Sequence, residues 1–440
     1  MTDQSSDREY RVLHGWTPMS DFAADNALDP DIDGACGSFL TTGHGLTLAD
    51  ASGGLWTVPL GHGREDVIEA MTAALRDLTY LSSIGLKSRY ADRLAARLLG
   101  LDPRMGRVQF HTTGSAAVEG AILVLRQVHK AIGQPQRTGV VALDMAYHGG
   151  SYLCISVSGF SEDREQVTPL APGVHRIKPP VAGHDPAASL AELRDILNGR
   201  HGATISSFVF EPIMGTAGVH PLPRDWLEEA IALCRAAGVA VIADEVATGL
   251  GRTGAWFAST GLDIDAMTLG KGLGGGYAPL SATLFSEQIV APITGDADGE
   301  VKTGSTMDGY PAACAAGLAI IDAIEREGLI ARAAEIGARF QAALREMEAF
   351  PVVGAVRGKG LFAGVDLVDP NAPDGTIGDE WREKILFRLA TSGVFAAPTG
   401  DTLALAPPLT LSDEELAGML DAMRSTFDVV SRRMARAQAS

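Results

Sequence analysis

Two hydrophobic patterns alternate through the middle of the chain. Short runs of apolar, often β-branched residues predict buried strands. These runs lie at 140–143, 207–211, 239–244, 267–269 and 281–285. Between the second and third runs, apolar residues recur every three or four positions, as in a helix that covers a sheet. Residues 205–244 are therefore predicted to form a β-α-β unit, which is typical of a mainly parallel sheet in an α/β fold.

The two ends of the chain have different patterns. Residues 1–60 carry scattered Gly, Asp and Pro and predict loops, whereas helical spacing begins at Arg64. In the last third, the spacing predicts long helices at 312–325 and 329–347, followed by a strand at 360–368. This change of pattern indicates a separate, smaller domain of α+β type.

The C-terminal segment has clear boundary signals. Residues 369–378 are rich in Pro, Asp and Gly and predict a loop. Ser412 and Glu415 form an S-x-x-E capping box, which predicts that the last helix begins there. We divide the chain into an N-terminal segment of the small domain, a large domain with the mainly parallel sheet and a C-terminal small domain, at 1–60, 61–320 and 321–440.

Composition narrows the possible functions. The chain has 440 residues, of which 46% are hydrophobic, and it contains 51 glycines, a mix that suits an α/β enzyme. Its formal net charge of −18 argues against binding to nucleic acid, because phosphate backbones are repelled. The four cysteines form no CxxC pair, the start of the chain is polar, and apolar runs are far shorter than the ~20 residues that span a bilayer. We expect a cytoplasmic protein with no metal site and no contact with a membrane.

Lys271 lies between a short apolar run and a run of glycines, in TLGKGLGGGYAPLSA. A buried lysine is costly, and glycines allow a ligand to approach the backbone closely. The motif therefore favours a lysine amine that attacks a carbonyl group to form a Schiff base. An exposed lysine on a turn is the alternative interpretation.

Two further motifs are consistent with a cofactor site. Asp244 ends an apolar run in VAVIADEVATGLGRTG, and α/β sheets bind ligands at the carboxyl ends of their strands. A carboxylate there can keep a pyridinium nitrogen protonated, although it can also cap the next turn. Gly114 and Ser115 open a predicted helix, where backbone N–H groups favour a phosphate. An ordinary helix cap is the alternative there.

In their order along the chain, these motifs resemble those of the class III aminotransferases, which are pyridoxal-phosphate enzymes of fold type I. The family pattern D-E-V-x-T-G-x-G-R-T-G is matched at 244–254, the lysine motif at 271–272 and the E-P-[IV]-x-G element at 211–215. The resemblance extends from about Trp16 to the C-terminal helix. Its pattern is closest to the amine (omega) transaminase branch.

The resemblance implies a role for each matched residue. Lys271 is implied to form the internal aldimine with pyridoxal 5'-phosphate and to move the proton, and Asp244 to pair with the pyridinium nitrogen. Tyr147, in MAYHGG, and Val246 are implied to sandwich the cofactor ring. Gly114 and Ser115 are implied to bind the phosphate.

The segment TGSTMDGYPAACAAGLA resembles the part of the family that reaches the phosphate of the neighbouring subunit. This resemblance assigns that role to Thr306. A site completed by the other subunit implies a homodimer.

On the substrate side, SGGLWTVPLGHGR resembles the amine-transaminase branch, which places Trp56 in the substrate pocket. A buried core tryptophan is the alternative. LKSRYADRLAARL resembles a stretch with an arginine near the pocket, matched by Arg89, for which a solvated helix charge is the alternative. Two carboxylate-binding arginines of relatives are replaced by Ala397 and Ala404. Glu211, which often pairs with the second of them, is then available to a cationic substrate group.

These implications predict an aminotransferase that moves an amino group from an amine or amino-acid donor to a ketone or aldehyde by a ping-pong mechanism. Alanine cannot replace a guanidinium as the partner of a carboxylate, so donors without a carboxylate are favoured. An amino-acid donor would need another cation, such as Arg89 or Lys302. An aminomutase or racemase on the same scaffold, and a non-catalytic homologue, are the alternatives.

Overall fold

A seven-stranded sheet forms the centre of the computed structural model, which describes residues 15–16 and 32–439. The described strands are β1 (Ile32–Cys36), β2 (Phe39–Thr42), β3 (Thr47–Asp50), β4 (Met105–His111), β5 (Gly139–Leu143), β6 (Val174–Ile177), β7 (Ile205–Phe210), β8 (Ile213–Met214), β9 (His220–Pro221), β10 (Ala240–Asp244), β11 (Ala266–Leu269), β12 (Ser281–Ser286), β13 (Val353–Lys359), β14 (Phe362–Leu367), β15 (Val394–Phe395), β16 (Pro398–Thr399) and β17 (Thr402–Leu405).

Helices connect these strands. The described α-helices span Glu65–Asp77, Arg89–Leu101, Gly114–Ala131, Tyr152–Val157, Ser161–Glu165, Pro186–Asn198, Arg224–Ala236, Glu287–Thr294, Pro311–Arg326, Leu329–Glu346, Gly378–Thr391 and Asp413–Ala439. A short turn, Gly53–Trp56, has non-helical backbone angles at two of its residues. Short 3₁₀ helices span Gly202–Thr204, Lys271–Leu273 and Met347–Ala349.

The strand order in the large sheet is β4-β12-β11-β10-β7-β5-β6. The pairs from β11 to β6 are parallel, and β12 is antiparallel to both of its neighbours. Each of the five predicted strands coincides with a strand of this sheet. The predictions of a mainly parallel sheet and of the β-α-β unit at 205–244 are confirmed.

The central strands are buried on both faces. In β10, Val241 and Ala243 belong to one hydrophobic cluster, whereas Ala240 and Ile242 belong to another on the opposite face. The helix Arg224–Ala236 packs in the first cluster and the helix Gly114–Ala131 in the second. This two-sided burial explains the continuous apolar runs in the sequence.

The described residues form three smaller sheets besides the large one: two of four strands each and the two-stranded pair β8-β9. The N-terminal strands pair in the order β1-β2-β3-β15, so a C-terminal strand completes the N-terminal sheet. The other four-stranded sheet has the order β13-β14-β17-β16. Residues 1–60 were predicted to be rich in loops, and that prediction missed β1, β2 and β3; residues 1–14 and 17–31 lie outside the described part of the chain.

The predicted start of the last helix is confirmed by its hydrogen bonds. The backbone N–H of Glu415 donates to Ser412 Oγ over 3.1 Å, and the N–H of Ser412 donates to Glu415 Oε2 over 2.7 Å. In the described ranges, no helix combines the length and the apolar character needed to cross a membrane.

Candidate active site

Asp244 lies at the carboxyl end of β10, where the parallel sheet opens to a cavity. Its side chain is buried, with 4% of the residue exposed. Oδ1 accepts hydrogen bonds from Thr268 Oγ1 (3.0 Å) and from the backbone N–H of Val246 (3.1 Å). Oδ2 lies 2.8 Å from His148 Nδ1. These contacts hold the carboxylate in one orientation.

His148 is a member of the site that the sequence analysis did not identify. Its residue is 2% exposed, and its backbone N–H donates to Ser158 Oγ over 2.9 Å. Because a carboxylate accepts hydrogen bonds, the contact with Asp244 favours a hydrogen on Nδ1 of the ring. Within the described ranges, the buried Nε2 atom has no hydrogen-bond partner.

Lys271 begins the 3₁₀ turn that follows β11. Its φ of 39° is unusual for a residue with a side chain, and such strain is concentrated at functional sites. The Nζ atom lies 4.1 Å from the centre of the Trp56 ring. Burial lowers the pKa of the amine to about 8, although the charges of Glu211 and Asp244 act in the opposite direction. The amine is therefore partly deprotonated near neutral pH.

Glu211 directly follows β7 and is also buried. Its Oε1 accepts from the backbone N–H of Tyr147 (2.9 Å), and Oε2 accepts from that of Gly215 (3.1 Å). Burial raises the pKa of this carboxyl group to about 7, against the effect of both hydrogen bonds. Glu211 can thus hold or release a proton close to Lys271.

The helix Gly114–Ala131 points its first turn at the cavity. Thr113 caps the helix, since its side chain accepts from the N–H of Ala116 over 3.1 Å. The N–H groups of Gly114 and Ser115 have no acceptor within their own helix and are available to an anion. A Cβ atom on Gly114 would lie 2.9 Å from Val246 Cγ1, so only glycine allows this close packing.

These side chains line one cavity of about 590 Å³. It brings together most of the predicted site residues: Trp56, Gly114, Ser115, Tyr147, Glu211, Asp244, Val246 and Lys271. It is also lined by Trp16, Leu55, His148, Phe160, Asp163, Thr216, Ala397, Thr399 and Ala404, among others.

Two predicted site residues lie elsewhere. Arg89 is exposed and forms an ion pair with Asp77, and its guanidinium stacks on the Tyr90 ring. Thr306 is exposed, and its backbone carbonyl accepts from Tyr80 Oη over 3.0 Å.

Thr306 and Lys302 line a second cavity of about 1,220 Å³, and Lys302 forms an ion pair with Glu300. Within a single chain, neither residue lines the cavity that contains Lys271.

Trp56, Ala397 and Ala404 form one wall of the 590 Å³ cavity. The Trp56 ring packs on Phe362 with centroids 5.1 Å apart and belongs to a small hydrophobic cluster, so the core and pocket interpretations both hold. Ser52 connects this wall: its Oγ accepts from the Ala397 N–H (2.7 Å) and donates to the Ala404 carbonyl (3.3 Å).

The lining matches the chemical groups of pyridoxal phosphate. Asp244 can accept a hydrogen bond from a protonated ring nitrogen, and the N–H groups of Gly114 and Ser115 can bind a phosphate. Lys271 supplies an amine for an aldehyde. Because Gly114 has no Cβ atom, Val246 packs directly against the start of this helix. The residues present therefore fit the cofactor.

Comparisons with known proteins agree with this chemistry. The family model "Aminotransferase class-III" matches residues 22–427. The adenosylmethionine-8-amino-7-oxononanoate aminotransferase of Geobacter sulfurreducens is 30% identical over 98% of this chain and 99% of its own. The diaminobutyrate–2-oxoglutarate transaminase of Halomonas elongata is 32% identical over 93% of this chain and 92% of its own.

A similar solved structure is an amine transaminase from an uncultivated Pseudomonas species, in its PLP-bound internal aldimine form. It is 32% identical to this chain, covers 96% of it and 99% of its own chain, and has a TM-score of 0.88.

Proposed function

The chain belongs to the class III aminotransferases, and we propose that Lys271 is the residue whose amine carries its reaction. The enzyme is a pyridoxal-phosphate-dependent aminotransferase that takes an amino group from a small-molecule donor and passes it to a carbonyl acceptor in two half-reactions. Its predicted fold class, α/β of fold type I with a large mainly parallel sheet, is confirmed. The observation that carries the proposal is the lysine amine placed beside the strand-end carboxylate of Asp244 in one cavity.

Lys271 acts as nucleophile and then as general acid and base. The bound cofactor supplies an electron sink, which stabilises the negative charge left when the carbon next to the donor nitrogen loses its proton. Because its pKa is lowered to about 8, the lysine amine can take up and return this proton close to neutral pH. Glu211 lies close enough to affect the charge of Lys271 and has a pKa of about 7.

Asp244 holds the ring nitrogen in its charged form. The hydrogen bonds from Thr268 and Val246, together with the contact to His148, leave the carboxylate little freedom to rotate. We therefore assign His148 as a positioning residue that acts through Asp244.

The rest of the cofactor site positions the ring and the phosphate. Tyr147 and Val246 are assigned to the two faces of the ring, and Gly114 and Ser115 to the phosphate. The Ser115 Oγ accepts from the N–H of Gly150 over 3.0 Å, which leaves its own hydrogen available to a phosphate oxygen.

The donor is an amine without a carboxylate. Within the described lining, the positions of Ala397 and Ala404 are both apolar, and the cavity contains no arginine. A carboxylate would lose a charge-assisted contact worth about 1.5–3 kcal/mol. Trp56 instead presents an aromatic surface to the donor.

The enzyme is a homodimer in which Thr306 serves the phosphate of the other subunit. The support is that Thr306 lines the second cavity and not the cavity that contains Lys271 of its own chain. Chains carrying Lys271→Ala should be mixed with chains carrying Thr306→Ala. Hybrid dimers then contain one doubly altered and one intact site, and activity returns; no recovery would place Thr306 in its own subunit.

The cytoplasm is the proposed location. Cys36, Cys154, Cys234 and Cys314 are all free thiols, which suits a reducing compartment.

The proposal is tested with a panel of donors. The loaded enzyme is mixed with single amines in the absence of an acceptor, and conversion to the pyridoxamine form is followed by absorbance. We expect rapid conversion with simple amines and slower conversion with alanine. Conversion by alanine faster than by ethylamine would contradict the proposed donor class, and an enzyme that consumes no external acceptor would instead be a mutase or racemase.

A further inference from the structure

Three aromatic rings and one carboxylate meet on one side of the 590 Å³ cavity: Trp16, Tyr147, Phe160 and Asp163, which we call the aromatic–acid cluster. The Tyr147 ring lies edge-on to Trp16, with centroids 6.3 Å apart, and edge-on to Phe160, at 6.5 Å. Aromatic faces attract cations, and because one face of Tyr147 is assigned to the cofactor ring, the rings of Trp16 and Phe160 are the ones left to contact an ammonium group.

Asp163 lies on the short helix Ser161–Glu165 and is partly buried. Among the described residues it has no ion pair and no hydrogen bond through its side chain. It lies close enough to the Tyr147 hydroxyl to help raise the pKa of that group, after the larger effect of burial. The carboxylate therefore faces the same space as the rings.

Asp163 differs from the other two carboxylates of the cavity, because those two have partners. Asp244 contacts His148, and Glu211 accepts two backbone hydrogen bonds. Within the lining that the structure describes, the basic side chains are Lys271 and His148, and both belong to the cofactor end. Among the described residues, the Asp163 side chain forms no ion pair, and Arg164, the next residue on the same helix, instead donates to the Ser158 carbonyl over 2.9 Å.

We propose that the aromatic–acid cluster binds a second, non-reacting cationic group of the substrate, so that the preferred donors are diamines or amines with a distant ammonium group. This rests on the proposed function, because it assumes that the reacting amine is held at Lys271. Asp163 supplies the countercharge, and Trp16, which is 71% exposed, covers the cation from the solvent side. The competing explanation for the unpaired Asp163 is that its partly exposed carboxylate is only solvated by water and binds no substrate group.

The test compares donors that differ only at the far end. Diaminohexane, hexylamine and aminohexanol have the same chain, with a cationic, an apolar and a neutral polar end. We expect kcat/KM for diaminohexane to exceed that for the other two by about five- to tenfold, through a lower KM. The preference should weaken as salt is raised, since the carboxylate is partly exposed.

Three variants locate the effect. Asp163→Asn should remove the preference and leave hexylamine unchanged, and Asp163→Lys should reverse the preference. Glu162→Gln removes an exposed acid from the same helix and should keep the preference of the parent enzyme. A parent enzyme that uses diaminohexane and hexylamine equally, or a preference that survives in Asp163→Asn, would overturn the proposal.

A binding measurement separates this proposal from the proposed function. Hexyltrimethylammonium has no reactive amine, and calorimetry with the cofactor-loaded protein measures its binding directly. Binding that Asp163→Asn weakens by about fivefold or more supports the cluster even if no donor is converted, in which case only the proposed function fails. Conversion of hexylamine without any binding of this cation would leave the proposed function standing and overturn the cluster.

Discussion

The cofactor end and the substrate end of the cavity are built from different kinds of structure. At the cofactor end, Asp244 is the last residue of one strand of the large sheet, Lys271 follows another, and buried hydrogen bonds fix the carboxylate. At the substrate end, Trp56 comes from an N-terminal turn, Ala397 from a C-terminal segment and Asp163 from a short helix. The first end is rigid and polar, whereas the second is assembled from distant parts of the chain.

This difference separates reaction type from substrate choice. Groups that position a cofactor need a fixed geometry, which the ends of buried strands provide. Groups that select a donor lie on connecting segments, which can change without disturbing the sheet. Altering the cofactor end should therefore reduce all reactions, while altering the substrate end should redistribute activity among donors.

The largest expected effect comes from Lys271→Ala, which should reduce turnover of every donor by about 10⁴-fold or more, because the proton transfer loses its base. The initial rate with a simple amine and an aldehyde acceptor measures this loss. Lys130→Ala, which removes an exposed lysine of the helix Gly114–Ala131, is the control and should keep the parent rate. Appreciable transamination by Lys271→Ala would contradict the assignment of Lys271 as the residue that transfers the proton.

Asp244→Asn should lower kcat by about 10²- to 10³-fold for all donors, since an amide cannot keep the ring nitrogen charged. Cofactor binding, followed by absorbance, should persist. The adjacent Glu245→Gln is a matched control, because Glu245 is buried but accepts from the Ser259 N–H at 2.6 Å and does not line the cavity. The Glu245→Gln variant should have a lower Tm, while its kcat stays close to that of the parent enzyme. Near-normal rates in Asp244→Asn would contradict the proposed electron sink.

Ala397→Arg should change the choice of donor instead of the overall rate. A guanidinium in this wall gives a carboxylate a charge-assisted partner, so the preference for alanine relative to ethylamine should rise about tenfold or more. Ala397→Met controls for the added volume without adding a charge. An equal change in the Met variant would mean that the effect is steric.

The smallest effect is expected from pH. The amine of Lys271 has a pKa lowered to about 8, and only its deprotonated form attacks an aldehyde. Uptake of pyridoxal phosphate by the apoprotein should therefore accelerate by about tenfold between pH 7 and pH 9 and then level off. A rate that still climbs steeply above pH 9 would mean that burial does not lower this pKa.

The sequence predicted the large sheet better than the terminal strands. The five central runs are mostly apolar because β10 and its neighbours are buried on both faces. The strands β1, β2 and β3 were missed because they are short, and β1 is exposed along its length and contains a glycine. The division at 1–60, 61–320 and 321–440 stays a prediction.

In the candidate site, too, some residues were predictable from the sequence and others were not. Lys271 and Asp244 were found because each lies at or just after the end of an apolar run within its own motif, and His148 could have been found from its place directly after Tyr147. Asp163 carries no such signal, because only the folded chain brings its helix to the cavity. Local patterns thus identify chemistry at strand ends but not the walls that connecting segments form. The roles assigned to Arg89 and Thr306 stay predictions.

The hydroxyl of Ser52 has a consequence for how this enzyme can be altered by evolution or in the laboratory. It joins the turn that carries Trp56 to both Ala397 and Ala404. Changes on either side of this bridge are then not independent, and their effects on donor choice should not add. A search that varies one position at a time would miss productive combinations. Libraries that vary Trp56, Ala397 and Ala404 together would sample the combined effects of these three positions on donor choice.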